Sequence, residues 1–196
     1  EAKTAASNAQ KAANDALEAV TKLTSVINSV PTQAGILTYT GAAQSPSWNG
    51  YDTEKLTIGG TTSGTNAGSY VATFTPKEGY EWADGTKTAK SVTWTIGKAS
   101  LSVPAQSGTL TYTGSAQSPQ WSNYDSNKLT IGGTSTATNA GSYAATFTPK
   151  ANYQWSDGST SAKSVTWAIG KAAGSLTLAK SSVTLNISSL TESVAV

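Results

Sequence analysis

Cysteine, histidine and methionine are absent from the 196 residues, and charged residues make up only 12% of them. Without cysteine the chain has no disulfide and no thiolate nucleophile, and without histidine it lacks the commonest general base and metal ligand. The net charge of +2 is too small for a nucleic-acid-binding surface. No apolar run approaches the roughly 20 residues that span a bilayer, and we expect no signal peptide. We therefore expect a protein that is not an enzyme, holds no cofactor or metal, and binds neither nucleic acid nor membrane.

The sequence does contain an internal repeat. Residues 31–98 return 73 positions later as residues 104–171 without a gap, and about two positions in three are identical. Two segments are identical in both copies. Leu37-Thr38-Tyr39-Thr40-Gly41 recurs starting at Leu110, and Asn66-Ala67-Gly68-Ser69-Tyr70 recurs starting at Asn139. Because this period exceeds that of solenoid units, each copy is expected to be a small domain with its own core.

Inside each copy, apolar and polar residues alternate. Residues 70–74 and 92–96 show the alternation most clearly, with Tyr70, Phe74 and Trp94 among the apolar members. Short β-branched or aromatic runs of this kind are typical of strands with one buried face, and turn signals such as Asp84-Gly85 separate them. Several short strands at such spacing predict a mostly β fold of small antiparallel sandwiches.

The first thirty residues have a different pattern. Their apolar residues follow alternating steps of four and three, which is the 3.5-residue period of a coiled-coil seam. One helix alone cannot bury so narrow a seam, so we expect a homo-oligomer formed through residues 1–30, with packing against another part of the protein as the alternative. Val20 and Ile27 with Leu23 favour a dimer, Val30 favours a trimer, and Pro31 is expected to end the helix. The predicted seam residues are Ala6, Ala9, Ala13, Ala16, Val20, Leu23, Ile27 and Val30.

These patterns divide the chain into four parts. A helical stalk at 1–30 precedes β domains at 31–103 and 104–173, and residues 174–196 alternate like the incomplete start of a further β domain. Residues 98–103 contain no glycine-rich spacer, so we expect a short, stiff junction and a rod-like chain. Since the sequence starts at Glu1 and has no methionine, we also expect it to be an internal piece of a longer protein.

The sequence segments that the two copies share resemble bacterial immunoglobulin-like repeats. The resemblance covers residues 31–171, and residues 176–186 are similar to the opening of the related group-2 domain. The alanine-rich heptads resemble the helical stalks that trimerise phage fibres. The resemblance implies tandem immunoglobulin-like β-sandwiches preceded by a coiled-coil helix, favours a trimer over a dimer, and carries no catalytic residues. The resemblance to immunoglobulin-like repeats rests on the segments Tyr39-Thr40-Gly41, Asn66-Ala67-Gly68-Ser69-Tyr70, Tyr80-Glu81-Trp82 with Asp84-Gly85, and Val92-Thr93-Trp94-Thr95-Ile96.

This order of parts implies a structural and adhesive segment of a phage or prophage virion protein, in a fibre, tail or capsid decoration. Such a segment projects its domains for weak, multivalent contact with the bacterial surface and touches other virion proteins. One alternative is a spacer in a secreted or wall-anchored bacterial adhesin, located at the cell surface. A second alternative is a carbohydrate-binding module of a larger enzyme.

Matched aromatic residues are the candidate binding residues for a cell-surface glycan. Sugar rings stack on exposed aromatic faces, and repeated copies would add avidity. The alternative is that the rings fill the cores of domains short of apolar bulk, which strict alternation favours for Trp94 and Trp167. The candidate stacking residues are Trp48, Tyr51, Tyr80, Trp82, Trp121, Tyr124, Tyr153 and Trp155.

Three further patterns have ordinary structural explanations. Asp84 and Asp157 could each offer one carboxylate to Ca²⁺, but Asp-Gly is also a common hairpin turn. Asp52 with Glu54 has the form of a glycosidase acid pair, yet Asn127 replaces Glu54 in the second copy. Lysines spaced along the rod could meet anionic wall polymer, although lysine also keeps edge strands soluble.

Overall fold

In the computed structural model of the chain, the backbone is described for residues 2–21 and 25–174, and the side chains for 2–17 and 25–174. These residues form sixteen β-strands and one α-helix. The mostly β fold with one N-terminal helix, predicted from the sequence, is therefore confirmed.

The strands fall into two matching sets, and we name residues 25–98 repeat 1 and residues 99–171 repeat 2. The strands of repeat 1 are β1 (Ser25–Ile27), β2 (Thr32–Ala34), β3 (Leu37–Thr38), β4 (Ser47–Asn49), β5 (Leu56–Gly60), β6 (Gly68–Pro76), β7 (Tyr80–Trp82) and β8 (Lys90–Gly97). The strands of repeat 2 are β9 (Ala99–Leu101), β10 (Ala105–Ser107), β11 (Leu110–Thr111), β12 (Gln120–Ser122), β13 (Leu129–Gly133), β14 (Gly141–Pro149), β15 (Tyr153–Trp155) and β16 (Lys163–Gly170).

Each repeat is built from one four-stranded sheet and two short two-stranded sheets. In repeat 1 the large sheet has the order β3-β8-β6-β5, in which β6 pairs antiparallel with β5 and β8 while β3 runs parallel to β8. The small sheets pair β2 antiparallel with β4 and β1 parallel with β7. Repeat 2 has the same plan, with β11-β16-β14-β13 as its large sheet.

The core of each repeat lies against the inner face of the large sheet. Ala72 and Phe74 on β6 are fully buried, and the intervening and neighbouring residues of opposite parity face outward, as a two-residue period requires. The register places Tyr70 opposite Trp94, and their rings stack with centroids 4.5 Å apart. The buried residues of repeat 1 are Ile27, Leu56, Ala72, Phe74, Trp82, Trp94 and Ile96.

A glutamine side chain joins the β2–β4 sheet to the large sheet. The amide of Gln33 donates to the backbone oxygen of Thr95 at 3.0 Å and accepts from the Thr95 N–H at 2.8 Å, as a neighbouring strand would. Gln106 makes the same pair of bonds with Ala168 at 3.1 and 2.9 Å. We name this pair of hydrogen bonds the glutamine clamp, the Gln33 clamp in repeat 1. Both repeats have it, and it holds the small sheet over the core.

The predicted helix does not extend to residue 30. Ser25–Ile27 is strand β1, whose first N–H donates to Gly79 O at 2.8 Å, and Ile27 is buried in the core of repeat 1. Val30 packs against that core, and Pro31 is fully buried. Ile27 and Val30 are therefore core residues rather than members of an oligomerisation seam, because the pairing of β1 with β7 places Ile27 beside the buried Trp82.

Strand β9 occupies the equivalent place in repeat 2. Ala99–Leu101 pairs parallel with β15, so these three residues form the first strand of repeat 2 rather than a connector. The domain boundaries predicted at residues 31 and 104 therefore move back to residues 25 and 99.

The helix α1 (Ala2–Thr21) is the other described element. Alanine favours it, and Lys11 pairs with Asp15 at 2.8 Å, an exposed i,i+4 contact worth about 0.3–0.5 kcal/mol. Residues 2–17 are exposed throughout, including the seam residues Ala6, Ala9, Ala13 and Ala16. The side chain of Val20, and Leu23 as a whole, lie outside the described residues, as does the β domain predicted to start at residue 174. The coiled coil stays a prediction.

No helix in the described part of the chain is long and apolar enough to cross a membrane.

Candidate functional site at the junction between the repeats

The two tryptophans on β7 and β15 do not form part of a sugar-stacking surface. Trp82 is 1% exposed and Trp155 is fully buried. Their indole Nε1 groups donate to the backbone oxygens of Thr88 at 2.9 Å and Ser161 at 2.8 Å. The prediction that Trp82 and Trp155 stack on glycans is therefore wrong, because their faces are packed inside the protein.

The remaining candidate stacking residues lie at the rim of the core. Trp48 meets the ring of Phe74 edge-on at 4.9 Å, and Tyr51 tilts against the same ring at 5.3 Å. In repeat 2, Trp121 and Tyr124 contact Phe147 at 4.9 and 5.5 Å. Tyr80 and Tyr153 are half-buried at the start of β7 and β15. The rings that pack against the two cores, as the alternative interpretation of the sequence held, are Trp48, Tyr51, Tyr80, Trp121 and Tyr124.

The Asp-Gly turns are held by their own neighbours. Asp84 accepts through Oδ1 from the N–H and hydroxyl of Thr86 at 3.0 and 2.6 Å, and through Oδ2 from Lys90 at 2.6 Å. The Lys90 ammonium also lies 5.2 Å from the Trp82 ring centroid. Asp157 repeats the arrangement with Ser159 and Lys163.

These bonds favour the ionised form of both carboxylates. The hydrogen bond from Lys90, followed by those from Thr86, holds the pKa of Asp84 well below its usual range. Lys163 and then Ser159 lower the pKa of Asp157 in the same way. Both oxygens of each carboxylate have protein partners, and no group of three or more acidic side chains that could hold a metal ion occurs in the described part of the chain. These turns fit a structural role.

Asp52 and Glu54, which the sequence suggested as an acid pair, also belong to a turn. Asp52 accepts from the N–H of Glu54 at 2.9 Å and pairs with Lys55 at 3.0 Å, and the hydrogen bond from Lys55 is the main reason why its pKa is lowered. Asp125 makes the matching contacts with Asn127 and Lys128. The arrangement forms equally well without a second carboxylate, so nothing in it calls for acid–base chemistry.

Polar side-chain contacts join the two repeats. The carboxamide of Asn152 accepts from the Ala67 N–H at 2.9 Å and donates to Asn66 Oδ1 at 3.0 Å. Tyr39 meets Tyr153 edge-on, with ring centroids 5.4 Å apart. Only Lys98 separates the last strand of repeat 1 from the first strand of repeat 2.

Each side of this contact is held by a hydrogen bond within its own repeat. In repeat 1 the Tyr70 hydroxyl donates to the backbone oxygen of Asn66 at 2.6 Å, which holds the turn that presents Ala67. In repeat 2 the backbone oxygen of Asn152 accepts from the Ala99 N–H at 3.0 Å. Because both turns are already held in place, they lose little entropy on contact, which favours the contact.

Sequence reasoning missed Asn152, whose counterpart in repeat 1 is Gly79. The glycine has φ +82°, so the two loops also differ in backbone conformation. A signal existed, because a position that differs between two otherwise similar copies marks a place where their surroundings differ. Comparison with models of known protein families finds no match for this chain, and comparison with curated proteins finds none either.

Proposed function

We propose that the chain is a structural segment of a phage or prophage virion protein, in a fibre, tail or capsid decoration. In this proposal an oligomerising helix carries immunoglobulin-like β-sandwiches, joined end to end as a stiff spacer, toward weak, multivalent contacts with a bacterial surface. The observation that carries the proposal is the junction, where Asn152 bonds to Asn66 and Ala67 across a one-residue connection. A flexible tether would need neither the bonds nor the short connection.

Two further observations support the proposal. The large sheet and the small sheets of each repeat enclose one aromatic core, as a sandwich would. The helix exposes Ala6, Ala9, Ala13 and Ala16, and helices in proteins owe most of their stability to packing, so a partner helix would stabilise it.

The burial of Trp82 and Trp155 weakens the alternative of a carbohydrate-binding module. The adhesin spacer uses the same stiff repeats and differs in needing no oligomer. Whether the helix forms an oligomer therefore distinguishes the fibre proposal from the adhesin spacer.

Sedimentation equilibrium of the full chain tests the oligomer. We expect a trimer or dimer that Ala13→Glu dissociates, since the new carboxylate would lie in the seam. Asn14→Glu adds the same charge next to the seam and is the matched control, with an unchanged mass expected. A monomeric wild-type chain, or equal effects of both variants, would overturn the fibre proposal in favour of an adhesin spacer.

A further inference from the structure

The surface that repeat 1 uses at the junction is present a second time at the far end of repeat 2. Tyr112, Asn139 and Ala140 stand where repeat 1 has Tyr39, Asn66 and Ala67. Tyr112 is 41% exposed, whereas Tyr39 is half-buried against its partner. Tyr112, Ala140, Lys171 and Ala172 line an open depression of about 320 Å³. The apolar and polar elements of a junction are therefore in place around an open depression.

The second surface is held by the same internal hydrogen bonds as the first. The Tyr143 hydroxyl donates to the backbone oxygen of Asn139 at 2.7 Å, matching the bond from Tyr70 in repeat 1. The Tyr112 N–H donates to Gly170 O at 2.9 Å, as the Tyr39 N–H donates to Gly97 O at 2.8 Å. A partner that fits the first surface would find the second one preformed, with little ordering cost.

We propose that the surface formed by Tyr112, Asn139 and Ala140 docks a third β repeat in the same head-to-tail order. The partner presents an asparagine followed by a tyrosine, as Asn152 and Tyr153 do at the existing junction. Its carboxamide accepts from the Ala140 N–H and donates to Asn139 Oδ1, while its tyrosine packs edge-on against Tyr112. This inference rests on the proposed spacer function, since a rod lengthens by repeating its junction.

The chemistry of the surface selects this occupant over two others. A second copy of the chain would offer the free end of repeat 1, where glycine, Gly79, precedes Tyr80 at the position of Asn152 and supplies no carboxamide there for the Ala140 N–H. Residues 175–196 contain no tyrosine to pack against Tyr112. The loop that matches both the polar and the aromatic half of the surface is the Asn-Tyr loop of another repeat.

Amide hydrogen exchange measured by NMR tests the proposal. It compares the 196-residue chain with a chain in which a further copy of residues 99–171 follows Lys171 directly. We expect exchange at the Ala140 N–H to slow at least about fivefold in the extended chain, the effect of one net hydrogen bond. The Ala67 N–H, already bonded to Asn152, serves as the internal reference. Asn152→Ala in the added copy alone should restore fast exchange at Ala140 and leave Ala67 unchanged.

The outcomes separate this inference from the proposal beneath it. If Ala67 is protected and Ala140 exchanges equally fast in both chains, docking is refuted while the existing junction stands. If Ala67 itself exchanges freely, the stiff spacer fails as well. Protection of Ala140 in the 196-residue chain that rises with concentration would assign the surface to a second copy, and protection lost on deleting residues 175–196 would assign it to that segment. Either result overturns the proposed occupant.

Discussion

Asn152 Oδ1 accepts a hydrogen bond from the Ala67 N–H at 2.9 Å, across the junction between two repeats that otherwise have separate cores. The bond satisfies a partly buried backbone donor, and the same carboxamide also donates to Asn66. Folding of one repeat therefore presents a bonding partner to the other. Coupling between the repeats is expected to depend on this one side chain more than on any residue that the two copies share.

Asn152→Ala removes both bonds and is expected to lower the coupling free energy between the repeats by about 1–2 kcal/mol. Calorimetry should then show the unfolding transitions of the two repeats moving apart. Asn152→Asp keeps an acceptor for Ala67 and loses the donor to Asn66, so it should have a smaller effect. An alanine variant that unfolds like the wild type would show that the junction contributes no coupling.

A second prediction concerns the buried tryptophans. Trp82→Ala removes a large, 1% exposed side chain and its bond to Thr88, so we expect repeat 1 to lose about 3–5 kcal/mol of unfolding free energy. Trp48→Ala, at the half-buried rim, should cost clearly less. Urea denaturation followed by far-ultraviolet circular dichroism measures both. A Trp82→Ala chain of wild-type stability would contradict the burial of this ring and would reopen its role in sugar binding.

The strands were predictable from sequence where period and turn signals agreed. Phe74 and Trp94 sit in strict alternation, and the structure buries both, because a strand places every second side chain on one face. Asp84-Gly85 marks a turn, since Gly85 has φ +77°.

Strand β1 was missed because Ile27 continues the 3.5-residue period of the helix by coincidence. The better signal was a comparison of the copies. The segment before Pro104 is β-like in composition and has no helical period, so the segment before the matching Pro31 should have been assigned the same way. The Gln33 clamp could not be predicted, because its partner Thr95 lies 62 residues away and a glutamine in a short polar strand has no distinctive pattern.

A third prediction concerns acid stability. Because Lys90 and Lys163 lower the pKa values of Asp84 and Asp157 in the folded state, folding favours the ionised carboxylates. This stabilisation is fully present above the unfolded aspartate pKa of about 4 and is lost as the pH falls below it. The urea midpoint of the wild type should therefore drop between about pH 5 and pH 2.

The double variant Asp84→Asn with Asp157→Asn should show a shallower drop over the same range. Glu78→Gln with Glu81→Gln changes the net charge equally and is the control, since neither glutamate forms an ion pair with a described residue. Equal pH dependence of the wild type and the aspartate variant would show that these ion pairs do not stabilise the fold.

The last prediction concerns the sharp end of strand β5. Gly60 has φ +72°, and a Cβ there would lie 2.8 Å from the backbone oxygen of Val71, closer than real contacts allow. Gly60→Ala is therefore expected to cost about 3 kcal/mol, from the left-handed backbone together with the clash. Gly85 has a similar φ of +77° with nothing within 4 Å of the same position, so Gly85→Ala should cost only the backbone term, about 1 kcal/mol. Urea denaturation of the two variants isolates the clash, and equal losses would mean that β5 and β6 can move apart to accommodate a methyl group.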